Sequence, residues 1–386
     1  MEATDPLGVA SEVVSDLHAL FRTGLYPACA LSVRHQGERI VHRALGYEQG
    51  APGLDDPSEQ PVPVTVDTRF CLFSASKAVT AVLVHLLDDR GLLHIDDRII
   101  EYIPEFGRHG KNWVTLRHLL SHRAGFPYGG GSGITDPEVF SDPTAILEQL
   151  YDAKLDARAG QEIAYLPISG GYILGEVIQR VTGEDVNTLL QREIAGPLGL
   201  SMQFGARPDE LPTIARNYHT GGPGYRLVDW AARRAFGLSF PAVTAASNHP
   251  AFLSSVVPSG NLLCGVDDIC RFFEMLRLGG ELDGTRVLEH RTVQRLLNET
   301  SWGTPDKTLG FPLRYSVGLM LGGRLMSPYG PRTGRAFGHV GYSNILCWAD
   351  RKRDLSVSLL TTGKPIIDNH LPRLWTLLSR LSDGYE

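Results

Sequence analysis

The sequence predicts a mixed α/β (α+β) fold in which an antiparallel sheet flanked by helices is joined to a mainly helical region. Strand-like runs lie near both ends of the 386-residue chain, an amphipathic helix marks each end, and the middle alternates helices with loops rich in Gly and Pro. We predict a sheet region at 1–73 and 249–386 and a helical region at 74–248. A cleft is expected where the two regions meet.

The N-terminal segment predicts a helix followed by a hairpin. Apolar residues recur at helical spacing over the first of these elements, at Val9, Val13, Leu17, Leu20 and Phe21. Strand-like runs follow at 30–34 and 39–42, and the intervening Gln36 and Gly37 suit a short turn. These two strands belong to our predicted antiparallel sheet.

The C-terminal segment supplies the remaining strands. Helical patterns at 267–278 and 289–299 precede strand-like runs at 314–321, 344–348 and 355–361. A final amphipathic helix is indicated by Leu371, Leu374, Trp375, Leu378 and Leu381. The economical arrangement pairs the strands from both ends of the chain in one sheet, covered by the terminal helices.

The sequence Ser74-Ala75-Ser76-Lys77 is the only S-x-x-K tetrad in the chain. Residues i and i+3 share a face of a helix, so the Lys77 amine is expected beside the Ser74 hydroxyl. A desolvated lysine in that position takes or polarises the hydroxyl proton, as acyl transfer by a serine requires. The tetrad therefore makes Ser74 and Lys77 candidate catalytic residues.

The residues around the tetrad favour this interpretation. Apolar residues dominate 78–87, which predicts a buried helix, and Gly91 suits its C-terminal end. Ser74 would then lie at the helix N-terminus, where oxyanion charge is favoured. The alternative is an N-cap serine followed by a solvated lysine, but that leaves a charge in an otherwise apolar first turn.

Composition limits the possible partners and locations. The chain has 43 acidic and 37 basic residues, a net charge of -6, so it lacks the basic field that nucleic acid binding needs. No run reaches the roughly 18 apolar residues of a membrane span, and no secretory signal is visible, so we expect a cytoplasmic protein. The five cysteines lack C-x-x-C spacing, which indicates reduced and mostly buried thiols.

Other site types have weaker support. His118 and His122 stand four residues apart and are an alternative metal pair, but no glutamate completes an H-E-x-x-H motif, so we favour a structural hydrogen-bonding role for His122. No serine lies in a G-x-S-x-G pentad. The glycine-rich run 129–133 predicts a flexible loop, which with Tyr128 is expected near the pocket. We expect no metal and no cofactor.

Five further segments, in order along the chain, accompany the tetrad. They are 116–126 (LRHLLSHRAGF), 170–183 (GGYILGEVIQRVTG), 196–200 (GPLGL), 258–272 (PSGNLLCGVDDICRF) and 337–350 (FGHVGYSNILCWAD). Together they resemble the serine β-lactamase and penicillin-binding-protein superfamily. The resemblance is to the class C β-lactamase-like branch, which includes family VIII carboxylesterases, acyltransferases and D-aminopeptidases. It implies a β-lactamase/transpeptidase-like fold.

The resemblance implies a second motif, Tyr-x-Asn or Tyr-x-Ser, which matches Tyr165, Leu166 and Pro167. Tyr165 is thereby expected to be the catalytic tyrosine. An ammonium at Lys77 would lower the pKa of its phenol, which would accept the Ser74 proton and return it to the leaving group. Pro167 departs from the pattern because it has no side-chain amide, so Ser169 or a main-chain group is expected to take that place.

The third motif of the superfamily, Lys-Thr-Gly, matches His339, Val340 and Gly341. The resemblance implies that His339 faces Ser74, that Gly341 permits a close backbone approach, and that the Tyr342 N–H joins the Ser74 N–H in an oxyanion hole. Arg332–Gly334 (RTG) is chemically closer to Lys-Thr-Gly, but its proline and glycine neighbours predict a loop.

The resemblance therefore implies a serine hydrolase that cleaves a small-molecule carboxylic ester. Histidine is mostly neutral near pH 7, so the missing lysine weakens an anchor for anionic substrates and favours a neutral ester. Acyltransfer, β-lactamase or D-aminopeptidase activity and a non-catalytic scaffold remain the alternatives. Acyl chain length, leaving group and oligomeric state are left open.

Overall fold

The computed structural model describes residues 8–126, 136–222, 229, 232–233, 237–301, 303–325 and 327–385. The glycine-rich run at 129–133 and Tyr128, which the sequence places near the pocket, lie outside the described residues. Three β-sheets and a set of helices make up the described part of the chain.

An eight-stranded antiparallel sheet is built from both ends of the chain, as predicted. Its strand order is β3-β2-β1-β13-β12-β11-β10-β9, a three-stranded sheet has the order β4-β6-β5, and β7 pairs with β8. The strands are β1 (Ala28–His35), β2 (Glu38–Gln49), β3 (Val62–Pro63), β4 (Phe70–Cys71), β5 (Met202–Phe204), β6 (Leu262–Cys264), β7 (Glu281–Leu282), β8 (Thr285–Arg286), β9 (Arg314–Tyr315), β10 (Met320–Leu321), β11 (Ala336–Gly341), β12 (Ile345–Asp350) and β13 (Leu355–Thr361).

The helices fall largely where the sequence predicts them. They are α1 (Val9–Phe21), α2 (Ser76–Asp89), α3 (Leu116–Leu120), α4 (Pro143–Asp152), α5 (Ser169–Thr182), α6 (Val186–Leu190), α7 (Gly196–Leu198), α8 (Phe240–Ala246), α9 (Pro250–Ser254), α10 (Val266–Arg277), α11 (His290–Leu296) and α12 (His370–Asp383). Short 3₁₀ segments lie at Phe73–Ala75, Ile99–Glu101, Pro104–Trp113, Pro137–Ser141 and Leu211–Thr213, and a π-helical turn spans Gln191–Ala195.

The large sheet lies between two helical layers because its central strands are apolar on both faces. Successive side chains of a strand point to opposite faces, so Leu31 and Val33 of β1 pack with α1 and α12 while Ala30 faces the other core. On that second face α10 lies against the sheet, where the Ser358 hydroxyl of β13 donates to the Val266 carbonyl. The core under this face also contains α2, which carries the S-x-x-K tetrad.

Several boundary predictions are confirmed. The strand predicted at 355–361 is β13, and the predicted terminal helices are α1 and α12. Gly91 follows the end of α2 with a φ of 69°, a left-handed conformation that glycine adopts without steric cost. The run predicted as one strand at 314–321 is instead two short strands, β9 and β10, because Gly318 turns the chain between them with a φ of 119°.

The mainly helical region also contributes a strand that the sequence did not predict. This strand, β5, pairs with β6 of the predicted sheet region. β6 pairs in turn with β4, which precedes the Ser74 turn. The small sheet thus ties the segment before Ser74 to two distant parts of the chain. The division into a region at 74–248 and a region at 1–73 with 249–386 stays a prediction.

The described helices and cysteines bear on two further expectations. Among the described residues, no helix combines the length and the apolar character needed to cross a lipid bilayer. All five cysteines are free and buried, which confirms the prediction of reduced, buried thiols.

Candidate active site

Ser74 lies in the 3₁₀ turn Phe73–Ala75, immediately before α2. The preceding residue, Phe73, has a φ of 49°, a left-handed conformation that is rare for a bulky side chain. Strain of this kind occurs where the surrounding structure holds a functional residue in place. Here it turns the chain abruptly from β4 into α2 and leaves Ser74 partly exposed at the wall of a cavity.

The Lys77 amine lies beside the Ser74 hydroxyl, as the tetrad spacing predicts. Lys77 Nζ is 3.1 Å from Ser74 Oγ, and it also donates to the carbonyl oxygens of Pro167 at 2.7 Å and Ser259 at 3.1 Å. Of the two groups proposed to replace the missing amide of the Tyr-x-Asn motif, the main chain is the one that contacts the lysine. The Ser169 hydroxyl is buried and has no hydrogen-bond partner among the described residues.

Burial lowers the pKa of the Lys77 amine well below its usual range. None of the three groups that Lys77 contacts is a carboxylate, so no paired charge offsets the loss of hydration. The shift favours the neutral amine more than in an exposed lysine, and a neutral amine accepts a proton. The arrangement suits Lys77 as a base for Ser74.

Tyr165 is buried and lines the same cavity as Ser74. Lys77 Nζ lies 4.9 Å from the centroid of its ring. The predicted lowering of the phenol pKa by Lys77 is wrong. Burial raises the pKa of Tyr165 above its usual value, and the nearby Asp306 raises it further, so the phenol keeps its proton and is better suited to donate one.

Asp306 holds the Tyr165 segment in place, a contact that sequence reasoning missed. Its carboxylate is 1% exposed and accepts hydrogen bonds from the Tyr165 N–H at 3.2 Å and the Tyr315 hydroxyl at 2.9 Å. It also accepts the N–H groups of Thr308 and Leu309. Four donors around one buried carboxylate fix the local backbone firmly, since breaking any of them leaves a buried polar group unpaired.

A second buried cation that the sequence did not single out lies under the Ser74 turn. Lys364 Nζ is 4.8 Å from the centroid of the Phe73 ring and donates to the Thr361 carbonyl at 2.7 Å. Burial lowers the pKa of Lys364 to about 7. Its amine supports the strained Phe73 from below through a cation–π contact when it is protonated.

His339 and Gly341 of the third motif, and Tyr342 after it, occupy different positions at the site. Gly341 and Tyr342 form part of the cavity wall, and a Cβ added at Gly341 would collide with the Leu72 carbonyl oxygen, which confirms the predicted close backbone approach. His339 is buried beside Tyr165, with 6.5 Å between the ring centroids. Burial and the charge of Lys77 lower the pKa of His339 to about 3, so its imidazole is neutral near pH 7.

The alternative motifs lie in a turn or have structural roles. Arg332–Gly334 lies in a turn between β10 and β11, as predicted. His122 is buried, accepts the Leu166 N–H through Nδ1 at 3.3 Å and lies 4.6 Å from the Tyr165 ring, which confirms its structural hydrogen-bonding role. His118 instead completes the N-terminal cap of α3 with Thr115. No group of three or more His, Cys, Asp or Glu side chains within the described ranges is arranged to hold a metal.

Ser74 opens into a cavity of about 660 Å³. Its described walls are almost entirely apolar and come from segments scattered along the chain. The side chains that form them include Phe73, Phe140, Ile168, Leu238, Phe240, Val243, Phe252, Leu309, Phe311, Leu313, Met320 and Ile367. A reactive serine at the wall of a large apolar cavity is an arrangement suited to covalent chemistry on a hydrophobic substrate.

Comparison with known proteins identifies the family to which this fold belongs. A family model described as Beta-lactamase matches residues 17–379. The chain belongs to the beta-lactamase family. This membership confirms the predicted resemblance, and the β-lactamase/transpeptidase-like fold agrees with it.

Relatives of this beta-lactamase family member include esterases. The esterase/beta-lactamase LipL of Mycobacterium tuberculosis is 28% identical over 362 residues, which cover 90% of this chain and 80% of LipL. A penicillin-binding protein homolog from Caulobacter crescentus superposes with a TM-score of 0.81 at 25% identity, covering 97% of each chain. A family VIII carboxylesterase has the same fold, with a TM-score of 0.81 at 24% identity over 96% of each chain. Family membership and the esterase relatives identify the protein as a serine hydrolase.

Proposed function

We propose that this beta-lactamase family member is a carboxylesterase that cleaves uncharged esters through an acyl-enzyme on Ser74. The observation that carries the proposal is the contact of Ser74 Oγ with the desolvated Lys77 amine, at 3.1 Å, while the ring of the buried Tyr165 lies 4.9 Å from the same amine. The lowered pKa of Lys77 favours the form that accepts a proton, and the raised pKa of Tyr165 favours the form that donates one. General acid–base catalysis needs such a pair beside the nucleophile.

The proton transfers follow from these two states. The Lys77 amine takes the proton of Ser74 as Oγ attacks the ester carbonyl, and the Tyr165 hydroxyl protonates the departing alcohol oxygen. The Lys77 ammonium then restores the proton of Tyr165. In the second half, a water molecule attacks the acyl-enzyme and the same groups return a proton to Ser74, releasing the acid. The backbone N–H groups of Ser74 and Tyr342 are the proposed donors to the oxyanion.

The neutral His339 supports an uncharged substrate. Lysine at this motif position offers a fixed charge to a substrate carboxylate, whereas an imidazole with a pKa of about 3 offers none near pH 7. His339 packs beside Tyr165 while Val340, Gly341 and Tyr342 form the cavity wall. Both features favour esters over β-lactams and peptides that end in a carboxylate.

We expect hydrolysis of p-nitrophenyl acetate and butyrate to exceed hydrolysis of nitrocefin. The lactam carries a carboxylate, which would be desolvated at this site without a cationic partner. The measurement is kcat/KM for the three substrates with the same enzyme preparation, buffer and pH. Faster turnover of the lactam would contradict the preference for esters.

We expect Tyr165→Phe to lower kcat/KM for an alkyl ester such as ethyl butyrate by about 100-fold or more, because the leaving alkoxide loses its proton donor. The matched control is Tyr172→Phe, which removes a buried hydroxyl that has no hydrogen-bond partner among the described residues. Steady-state kinetics and thermal unfolding of both variants separate catalysis from folding. A Tyr165→Phe enzyme within about threefold of the wild type would rule out this role.

A further inference from the structure

We infer that the esters cleaved at this site carry a bulky, uncharged, hydrophobic group, larger than an acetyl or butyryl chain, which occupies the cavity beside Ser74. This inference rests on the proposed function and names its substrate class. The cavity of about 660 Å³ lies in the range that encloses a drug-sized ligand. An acetyl ester would leave most of that volume unfilled.

The few polar side chains of the described cavity wall are already engaged by the protein. The Ser259 hydroxyl donates to the Ile168 carbonyl at 3.0 Å, and the Ser247 hydroxyl donates to the Thr244 carbonyl at 2.7 Å. The Tyr342 hydroxyl donates to the Phe240 carbonyl at 2.8 Å. Apart from Ser74 and Tyr165, the wall therefore presents mainly hydrocarbon to a ligand.

The wall also lacks a partner for a charged substrate. No Asp, Glu, Lys or Arg side chain is among the described residues that line this cavity. A carboxylate placed there would lose its hydration with no cation to replace it, which disfavours its binding. The cavity thus selects against anionic acyl groups as well as providing room for hydrophobic ones.

Aromatic rings form the part of the wall nearest the nucleophile. The Phe240 ring stacks on Tyr342 with 4.5 Å between centroids, and Tyr342 lies 5.3 Å from Phe73, the residue before Ser74. Flat rings of this kind contact a hydrophobic group over a large area. Further out, Phe311 and Ile367 line the cavity while remaining about half exposed, at 48% and 49%, so the apolar surface continues to the solvent.

One face of α8 allows a direct test of this cavity. Phe240, Val243 and Ala246 recur at a spacing of three residues and all line it, whereas Ala245 on the same helix is exposed. A larger side chain at Ala246 would occupy space that a ligand needs in this cavity. The same enlargement at Ala245 would extend into solvent.

The experiment measures kcat/KM for p-nitrophenyl acetate, butyrate, octanoate and decanoate. We expect the wild type to gain about tenfold or more between butyrate and octanoate, because each buried methylene adds binding free energy. Ala246→Phe and Val243→Phe should lower the ratio of the octanoate value to the acetate value by about tenfold, while Ala245→Phe, at an exposed position, should leave this ratio unchanged. Thermal unfolding of each variant checks its folding.

A binding measurement separates this inference from the proposed function. p-Nitrophenyl decyl ether, which has no ester bond, is titrated by calorimetry into Ser74→Ala and into Ser74→Ala/Ala246→Phe. Tighter binding of the ether to Ser74→Ala than to Ser74→Ala/Ala246→Phe supports the hydrophobic substrate class, even if the wild type cleaves no ester. The absence of ester cleavage would overturn only the proposed esterase. Ser74-dependent cleavage that is fastest for acetate, together with no binding of the ether, would overturn the hydrophobic substrate class and leave the esterase in place.

Discussion

Replacing Ser74 with alanine is expected to abolish ester hydrolysis, because Oγ is the atom that forms the acyl-enzyme. Wild-type protein incubated with a fluorophosphonate should gain one adduct, and mass spectrometry of its peptides should place that adduct on Ser74. The Ser74→Ala protein should gain none. Turnover of p-nitrophenyl butyrate by the two proteins gives an independent measure of the same loss.

Ser76 offers a matched control in the same turn of the chain. It is also a buried serine, but its hydroxyl oxygen accepts the Leu262 N–H at 2.9 Å. Ser76→Ala should keep the fluorophosphonate adduct on Ser74, with a loss of stability of about 1 kcal/mol for the broken hydrogen bond. Folded wild-type protein that forms no adduct would instead support the non-catalytic scaffold.

Replacing Lys77 with methionine is expected to lower kcat/KM by about 100-fold or more, since Ser74 then has no base within hydrogen-bond distance. The pH dependence should change as well. In the wild type, activity falls as the pH drops through the lowered pKa of Lys77, because the ammonium cannot accept the Ser74 proton. The residual activity of Lys77→Met should lack this acidic limb, as pH–rate profiles of both proteins would reveal.

Lys111 provides the control for removing a buried amine. It is fully buried and donates to the carbonyl oxygens of Tyr151, at 2.8 Å, and Ala153, in a part of the fold that does not line the cavity. Lys111→Met should change thermal stability but keep the acidic limb of the profile. A Lys77→Met enzyme with a near-normal kcat would overturn the assignment of Lys77 as the base.

Short-range patterns predicted a large part of this molecule. The adjacency of Ser74 and Lys77 follows from helical spacing alone, and the strand at 355–361 follows from a compact run of apolar and small residues between turns. Tyr165 is different, because nothing in its local sequence separates it from a core aromatic. Tyr165 was predicted to be catalytic only from the resemblance to a known family.

Tertiary contacts account for what the sequence did not predict. Asp306 lies between Pro305 and Lys307, where a carboxylate usually faces solvent, and its burial depends on Tyr165, 141 residues away. β5 has three residues, too few for an alternating pattern to indicate a strand. The pKa of Tyr165 was predicted in the wrong direction because burial, which a sequence pattern does not reveal, raises it.

The pairing of β1 with β13 at the middle of the large sheet has a consequence for synthesis of the protein. The first strand of the chain registers with residues 355–361, and β11 and β12, which carry Gly341 to the Ser74 turn, are held beside β13. A nascent chain on the ribosome therefore lacks the centre of its sheet until β13 has been synthesised. The Ser74 turn is thus synthesised long before the sheet that brings Gly341 to it can assemble.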